Sequence, residues 1–226
     1  MSYTIKYMKK LFFILIFYLN LYPVQALSAC PKDRDTPKIK LYTSYGKLTY
    51  DNSKNNAQIT EIASKYGILE KGIFASGLST IDINLDIVLK TFGEEQKNND
   101  ICIYPENIDI TISFSSPVIY ISNQLKPYSC EYNLVLRHEQ THQQINSSAL
   151  DFFLPMFKIA TNEIAKNLKP IKIQDNSEVD TAPNKLTLEF NEKLTPLLNF
   201  FKKQILQEQL KLDNNENYKN ESLICR

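Results

Sequence analysis

Tryptophan is absent from the 226 residues, histidine occurs twice, and none of the five glycines lies beyond Gly93. Without a glycine-rich loop there is no cradle for a nucleotide phosphate. No Ser-His-Asp arrangement is visible either. Lysine plus arginine (26) nearly balances aspartate plus glutamate (25). The balance excludes both a basic nucleic-acid surface and an acidic solvating tail. A hydrophobic content of 43% with 23% charged residues describes a globular chain with enough core to fold without a metal. The scarcity of histidine matters most, because any imidazole chemistry must use His138, His142 or both.

Long apolar runs are also missing, apart from one. Lys6, Lys9 and Lys10 precede an apolar stretch from Leu11 to Leu21, which is followed by Pro23 and the small residues Ala26-Leu27-Ser28-Ala29-Cys30. This order predicts a signal peptide over residues 1–29 and an exported protein, periplasmic or secreted. The stretch is short for a membrane span, although an uncleaved anchor is an alternative. Three lysines and no acid leave with it, so the remaining 23 basic and 25 acidic residues give no charge-driven attraction to a membrane surface. Leu27-Ser28-Ala29-Cys30 also resembles a lipobox, in which Cys30 would carry a lipid. In an oxidising compartment the four cysteines can instead pair. One of three connectivities joins Cys102 to Cys130 and Cys30 to Cys225.

Two kinds of periodicity divide the rest. Residues 38–50 read as a strand pair or bulged strand around Gly46, and 57–66 as a short helix. Ile81, Ile83, Leu85, Ile87 and Leu89 alternate with polar residues, and 101–114 repeats the pattern, which predicts half-buried strands. Residues 93–100 form the loop between them, and Pro117–Ser122 a third strand, whose leading proline suits a sheet edge. From Ser129 the apolar spacing becomes three and four, with Leu134, Ile145, Ala149 and Phe152 in register with both histidines. A second helix is expected from Pro155 to Leu168 and a third from about Lys185 to Leu212. These predict an α+β fold, a small antiparallel or mixed sheet followed by a helical half. Residues 30–212 form a single domain, and 213–226 a solvated polar tail.

The chemistry lies in His138-Glu139-Gln140-Thr141-His142. A four-residue step places both imidazoles on one helical face, where they can bind one Zn²⁺ ion. Zinc would lower the pKa of bound water to about 7, and Glu139 would take its proton as general base. This pattern resembles the zincin metalloproteases, whose active-site helix carries HExxH. Residues 80–150, with Cys102-Ile-Tyr, Val-Ile-Tyr-Ile and Ser129-Cys130 ahead of the motif, look like a group of uncharacterised secreted bacterial HExxH proteins. The resemblance implies a zincin-like fold, zinc as cofactor, a peptide or protein substrate, and an edge strand beside the helix, for which Pro117–Ser122 is the candidate. A third histidine is impossible here. A gluzincin-like carboxylate is the remaining option, Glu163 if the chain reverses after His142, or Glu189 if the helix runs on. One of Tyr104, Tyr120 and Tyr128 could stabilise an oxyanion, and a Cys102–Cys130 disulfide would tie a strand to the start of the motif helix. The rival reading is an exported or lipid-anchored binding module whose helix is structural or holds metal without turnover.

Overall fold

The computed structural model describes residues 30–31, 35–66, 74–97, 99–174 and 178–225; the expected signal peptide lies outside them. Among the described residues the fold is α+β, with five strands in one mixed sheet and four helices. Two long strands, β3 (Gly77–Glu95) and β4 (Ile101–Ile121), form an antiparallel hairpin. The other edge of β4 is covered in three successive pieces. β5 (Ile171–Ile173) pairs antiparallel with Ile101–Ile103, β1 (Lys38–Ser44) parallel with Asn107–Ser113, and β2 (Thr49–Asp51) parallel with Val118–Tyr120. Residues 38–50 therefore do not pair with each other. They lie in line along β4, turned at Gly46, where φ is +68° and an added Cβ would meet the Phe114 carbonyl oxygen at 2.5 Å.

Pro117 is not on a sheet edge, as a prolyl residue leading a strand suggests. It lies in the central strand, which it does not interrupt, because the register slips there. Thr80 faces Val118 and Asp82 faces Ser115, so Ser116-Pro117 oppose Ile81 alone, and Ser116 takes φ +48°. A bulge removes the need for the ladder hydrogen bond that proline cannot donate. Pro105 sits at a second slip, between the Lys90–Asn107 and Thr91–Pro105 pairs.

Helix α1 (Asn56–Lys65) begins with a capping box between Asn55 and Gln58. Helix α2 (Cys130–Asn167) starts at the N-cap Ser129, whose hydroxyl accepts from the Tyr132 N–H, and runs unbroken for 38 residues. The separate helix expected from Pro155 is the continuation of this one. Pro155 lies on the exposed face, where a missing intrahelical bond disturbs no packing. Helix α3 (Ala182–Leu212) likewise continues through Pro196. Its buried stripe is Ala182, Leu186, Phe190, Leu194, Leu198, Phe201 and Ile205, with Leu197 partly buried against the same core.

The core lies between one sheet face and the α2–α3 pair. Ile108, Ile110, Ile112 and Phe114 of β4 meet Leu150, Phe153 and Phe157 of α2 and Phe190, Leu194 and Phe201 of α3. Phe157 and Phe201 cross edge to face at 5.7 Å. Each such side chain contributes roughly 1.5–3 kcal/mol when fully buried. Residues 213–224 are polar and mostly exposed, as expected, but they do not trail free. They turn back as helix α4 (Asn215–Ser222), and Cys225 is bonded to Cys130 at the start of α2. This overturns the Cys102–Cys130 pairing, since the polar segment carries Cys225 back to the motif helix. Cys30 and Cys102 are disulfide-bonded as well, and no cysteine is free.

Gly46→Ala is expected to destabilise the domain by about 1–3 kcal/mol, because it needs a left-handed backbone and also closes on β4. Chemical denaturation checks this, and an unchanged midpoint would contradict it.

Candidate metal centre

Every fourth or third residue of α2 from His138 to Ala165 faces inward: His138, His142, Asn146, Leu150, Phe153, Phe157, Thr161 and Ala165. The face that anchors the helix to the core thus also carries the two imidazoles, at its N-terminal end. Glu139 is buried beside them at 7% exposure. The start of β3 packs directly on this turn. An added Cβ at Gly77 would lie 2.5 Å from Val135 and 2.6 Å from Glu139 Oε1. Glu139 accepts a hydrogen bond from the Ser79 backbone, and Gln143 Nε2 donates to Ser79 Oγ (2.6 Å) and to the Thr80 carbonyl (3.3 Å). The strand segment that holds Glu139 and Gln143 is therefore the start of β3, Gly77 to Thr80, rather than Pro117–Ser122.

The C-terminal end of α3 and the turn after it close the other side. Asp213 Oδ1 lies 3.0 Å from His138 Nε2 and 3.1 Å from His142 Nε2, and the two Nε2 atoms are 3.2 Å apart. All three are ligand-type atoms, and they form a nearly equilateral triangle. Ligands of a tetrahedral ion with bonds of 2.0–2.1 Å stand about 3.3 Å apart. His138, His142 and Asp213 therefore suit a metal ion with an outward adjustment of a few tenths of an ångström.

The outer nitrogens are fixed too. His138 Nδ1 is 3.3 and 3.2 Å from the two carboxylate oxygens of Glu221 on α4. A carboxylate only accepts, so Nδ1 donates to it, and Nε2 is the atom that could bind a metal ion. Gln209 on α3 does the same for His142. Its Oε1 faces Nδ1, while its Nε2 donates to the His142 carbonyl (3.2 Å) and to Asn146 Oδ1 (2.7 Å). Tyr218 stacks on His138 with ring centroids 5.4 Å apart and donates its hydroxyl to Asp213 Oδ1 at 2.7 Å.

The electrostatics follow from this crowding. Burial alone would lower the His138 imidazole, but the Asp213 hydrogen bond, the Glu139 charge and Glu221 outweigh it, and the group is pushed up to about 9. His142 is raised for like reasons, burial being outweighed by Asp213 and then Glu139. Burial raises Asp213, yet the two imidazoles and Tyr218 hold it well below the usual carboxylate range. Burial lifts Glu139 to about 7 against the pull of both histidines. Burial and the Asp213 carboxylate raise the Tyr218 phenol.

Of the residues singled out in the sequence, the structure brings together His138, Glu139 and His142. It does not bring Glu163 or Glu189 to them. The unbroken α2 carries Glu163 some twenty-one residues past His142, about 30 Å away at 1.5 Å per residue, exposed and paired with Lys166. Glu189 is paired with Lys193, roughly 30 Å up α3 from Gln209 by the same rise. The available carboxylate is Asp213. Tyr128 is 88% exposed and Tyr104 stacks on Phe92, while Tyr120 packs beside the Ile59 cluster; the tyrosine at the histidines is Tyr218. Two sequence features could have pointed near this segment: one more helical step past Ile205 reaches Gln209, and Cys225 needs a partner. Set against protein-family models, curated proteins and solved structures, the chain matches none of the three.

With zinc as the probe ion, Asp213→Ala is expected to weaken metal binding by more than the roughly 10–100-fold typical of an outer-sphere partner. Glu163→Gln and Glu189→Gln are expected to leave it unchanged. Competition against a chromophoric chelator measures all three, and an unaltered affinity in Asp213→Ala would remove Asp213 from the ligand set.

Proposed function

We propose that this protein is an exported zinc-dependent metallopeptidase of zincin type, with His138, His142 and Asp213 as ligands and Glu139 as general base. The observation that carries the reading is the convergence of three ligand atoms at 3.0–3.2 Å with a buried carboxylate one residue along the same helix. Two disulfides support an oxidising, exported setting. No described helix is long and apolar enough to cross a membrane. Cys30 has its sulfur in a disulfide, which favours the plain exported form over lipidation at that atom.

Zinc bound at this site would supply Lewis acidity, acidifying water and polarising a carbonyl. The chain supplies the proton handling. Glu139, buried beside the two imidazoles, is the group placed to take a proton from the attacking water and to release it later. The proton passes to the amide nitrogen as the C–N bond breaks, leaving a carboxylate and an amine. The Ser79 backbone and the close approach of Gly77 hold that carboxylate in place. Peptide substrates fit this chemistry, because an amide nitrogen leaves only when protonated.

A second reading has its own support. His138 and His142 are 6% and 7% exposed, with Tyr218 stacked on His138, as suits a metal that staples α4 in place without turnover.

Glu139→Gln separates the two. Under the peptidase reading it retains zinc and loses cleavage of an unstructured protein such as casein by at least about 100-fold, the upper range for general acid–base catalysis being near 10⁴. Gly77→Ala, which displaces Glu139, is expected to lower cleavage while keeping zinc. A zinc-loaded wild type that cleaves no peptide would leave the stapling reading, and a Glu139→Gln protein that cleaves as fast as wild type would remove Glu139 as the base.

A further inference from the structure

We propose that Glu221 is a positioning residue of the metal centre, and that the Cys130–Cys225 disulfide is what keeps it over His138. The inference rests on the reading of His138, His142 and Asp213 as metal ligands.

The two outer-sphere partners are held very differently. Gln209 belongs to α3, whose stripe from Ala182 to Ile205 is anchored in the core. Glu221 belongs to α4, an eight-residue helix with no buried residue. A helix so short has little stability of its own in water, and hydrophobic packing does not fix this one. Its tethers are the Asp213 turn at its entry, the Tyr218 ring on His138, and the disulfide four residues past Glu221. That disulfide lands on Cys130, the first residue of α2, eight residues before His138 on the same helix. The covalent link therefore ties the carboxylate to the helix that bears its imidazole partner. Both Glu221 oxygens lie within 3.3 Å of His138 Nδ1, so either can accept its proton and leave Nε2 aimed at Asp213 and His142.

If the disulfide works through Glu221, losing one should make loss of the other nearly silent, a coupling that a double-mutant cycle reads directly. Both cysteines are replaced together, since a lone thiol would itself bind zinc.

The experiment measures zinc affinity of the full-length chain by chelator competition. The variants are Glu221→Ala, Glu221→Gln, Gln209→Ala and the Cys130→Ser/Cys225→Ser pair, with each of the alanine substitutions also placed in the disulfide-free background. Glu221→Ala is expected to weaken zinc binding about 10–100-fold. Glu221→Gln should recover part of this, because its Oε1 still accepts. Removing the disulfide should cost a similar factor, and Glu221→Ala should then add less than about threefold. Gln209→Ala should cost the same in both backgrounds. In the zinc-loaded wild type, NMR should show a protonated His138 Nδ1 with a slowly exchanging hydrogen, lost in Glu221→Ala. Unchanged affinity in Glu221→Ala with the disulfide intact would overturn the proposal even if the disulfide-free chain fails to fold. Fully additive losses would overturn the role of the disulfide. A wild type that binds no zinc would instead overturn the metal centre itself.

Discussion

Two imidazole nitrogens and a carboxylate oxygen, each with a lone pair directed at the others across 3.0–3.2 Å, stay together only if positive charge lies between them. Without a metal, protons supply that charge, which is why His138 is pushed up to about 9 and Asp213 is held low. A divalent cation would supply it as well, displacing protons as it bound. The last turn of α3, the reversal at Asp213 and the placement of α4 all meet at this point. The site is therefore a closure device for the C-terminal segment as well as a candidate reaction centre.

The fold makes the convergence possible by using one helical face twice. The inward stripe of α2 packs as Leu150, Phe153 and Phe157 at its middle and presents His142 and His138 nearer its start. Burial of the phenylalanines fixes the rotation of the helix, so the imidazoles have no freedom about the helix axis. The α3 stripe works in the same way and delivers Gln209 one turn beyond the core. On the opposite side, Gly77 lets β3 approach α2 closely enough to hold Glu139. Each element that touches the site is thus oriented by apolar packing elsewhere, except α4, which is held by polar contacts and a disulfide.

Much of this was legible in the sequence, for physical reasons. The period of two in Ile81–Leu89 and Ile108–Phe114 marks half-buried strands, and the i, i+4 histidines with Glu139 mark one face of a helix. What could not be read were features decided by tertiary contacts. Pro117 suggested an edge because the bulge at Ser116 is set by pairing with β3. Pro155 suggested a helix break, but it falls on a solvent-facing position where α2 loses little by continuing. That continuation removes Glu163 from reach. Asp213 was hidden because a polar Asn/Glu-rich stretch carries no periodic signal, and its role depends on where α3 ends and where Cys225 is tied.

The central claim is that one zinc ion binds His138, His142 and Asp213. Anomalous diffraction at the zinc edge from crystals of the zinc-loaded protein tests it directly. The account predicts a single strong peak about 2.0–2.1 Å from both Nε2 atoms and from an Asp213 carboxylate oxygen. A peak bound by the histidines with Glu163 or Glu189 as the third ligand, or no peak at the histidines, would contradict it.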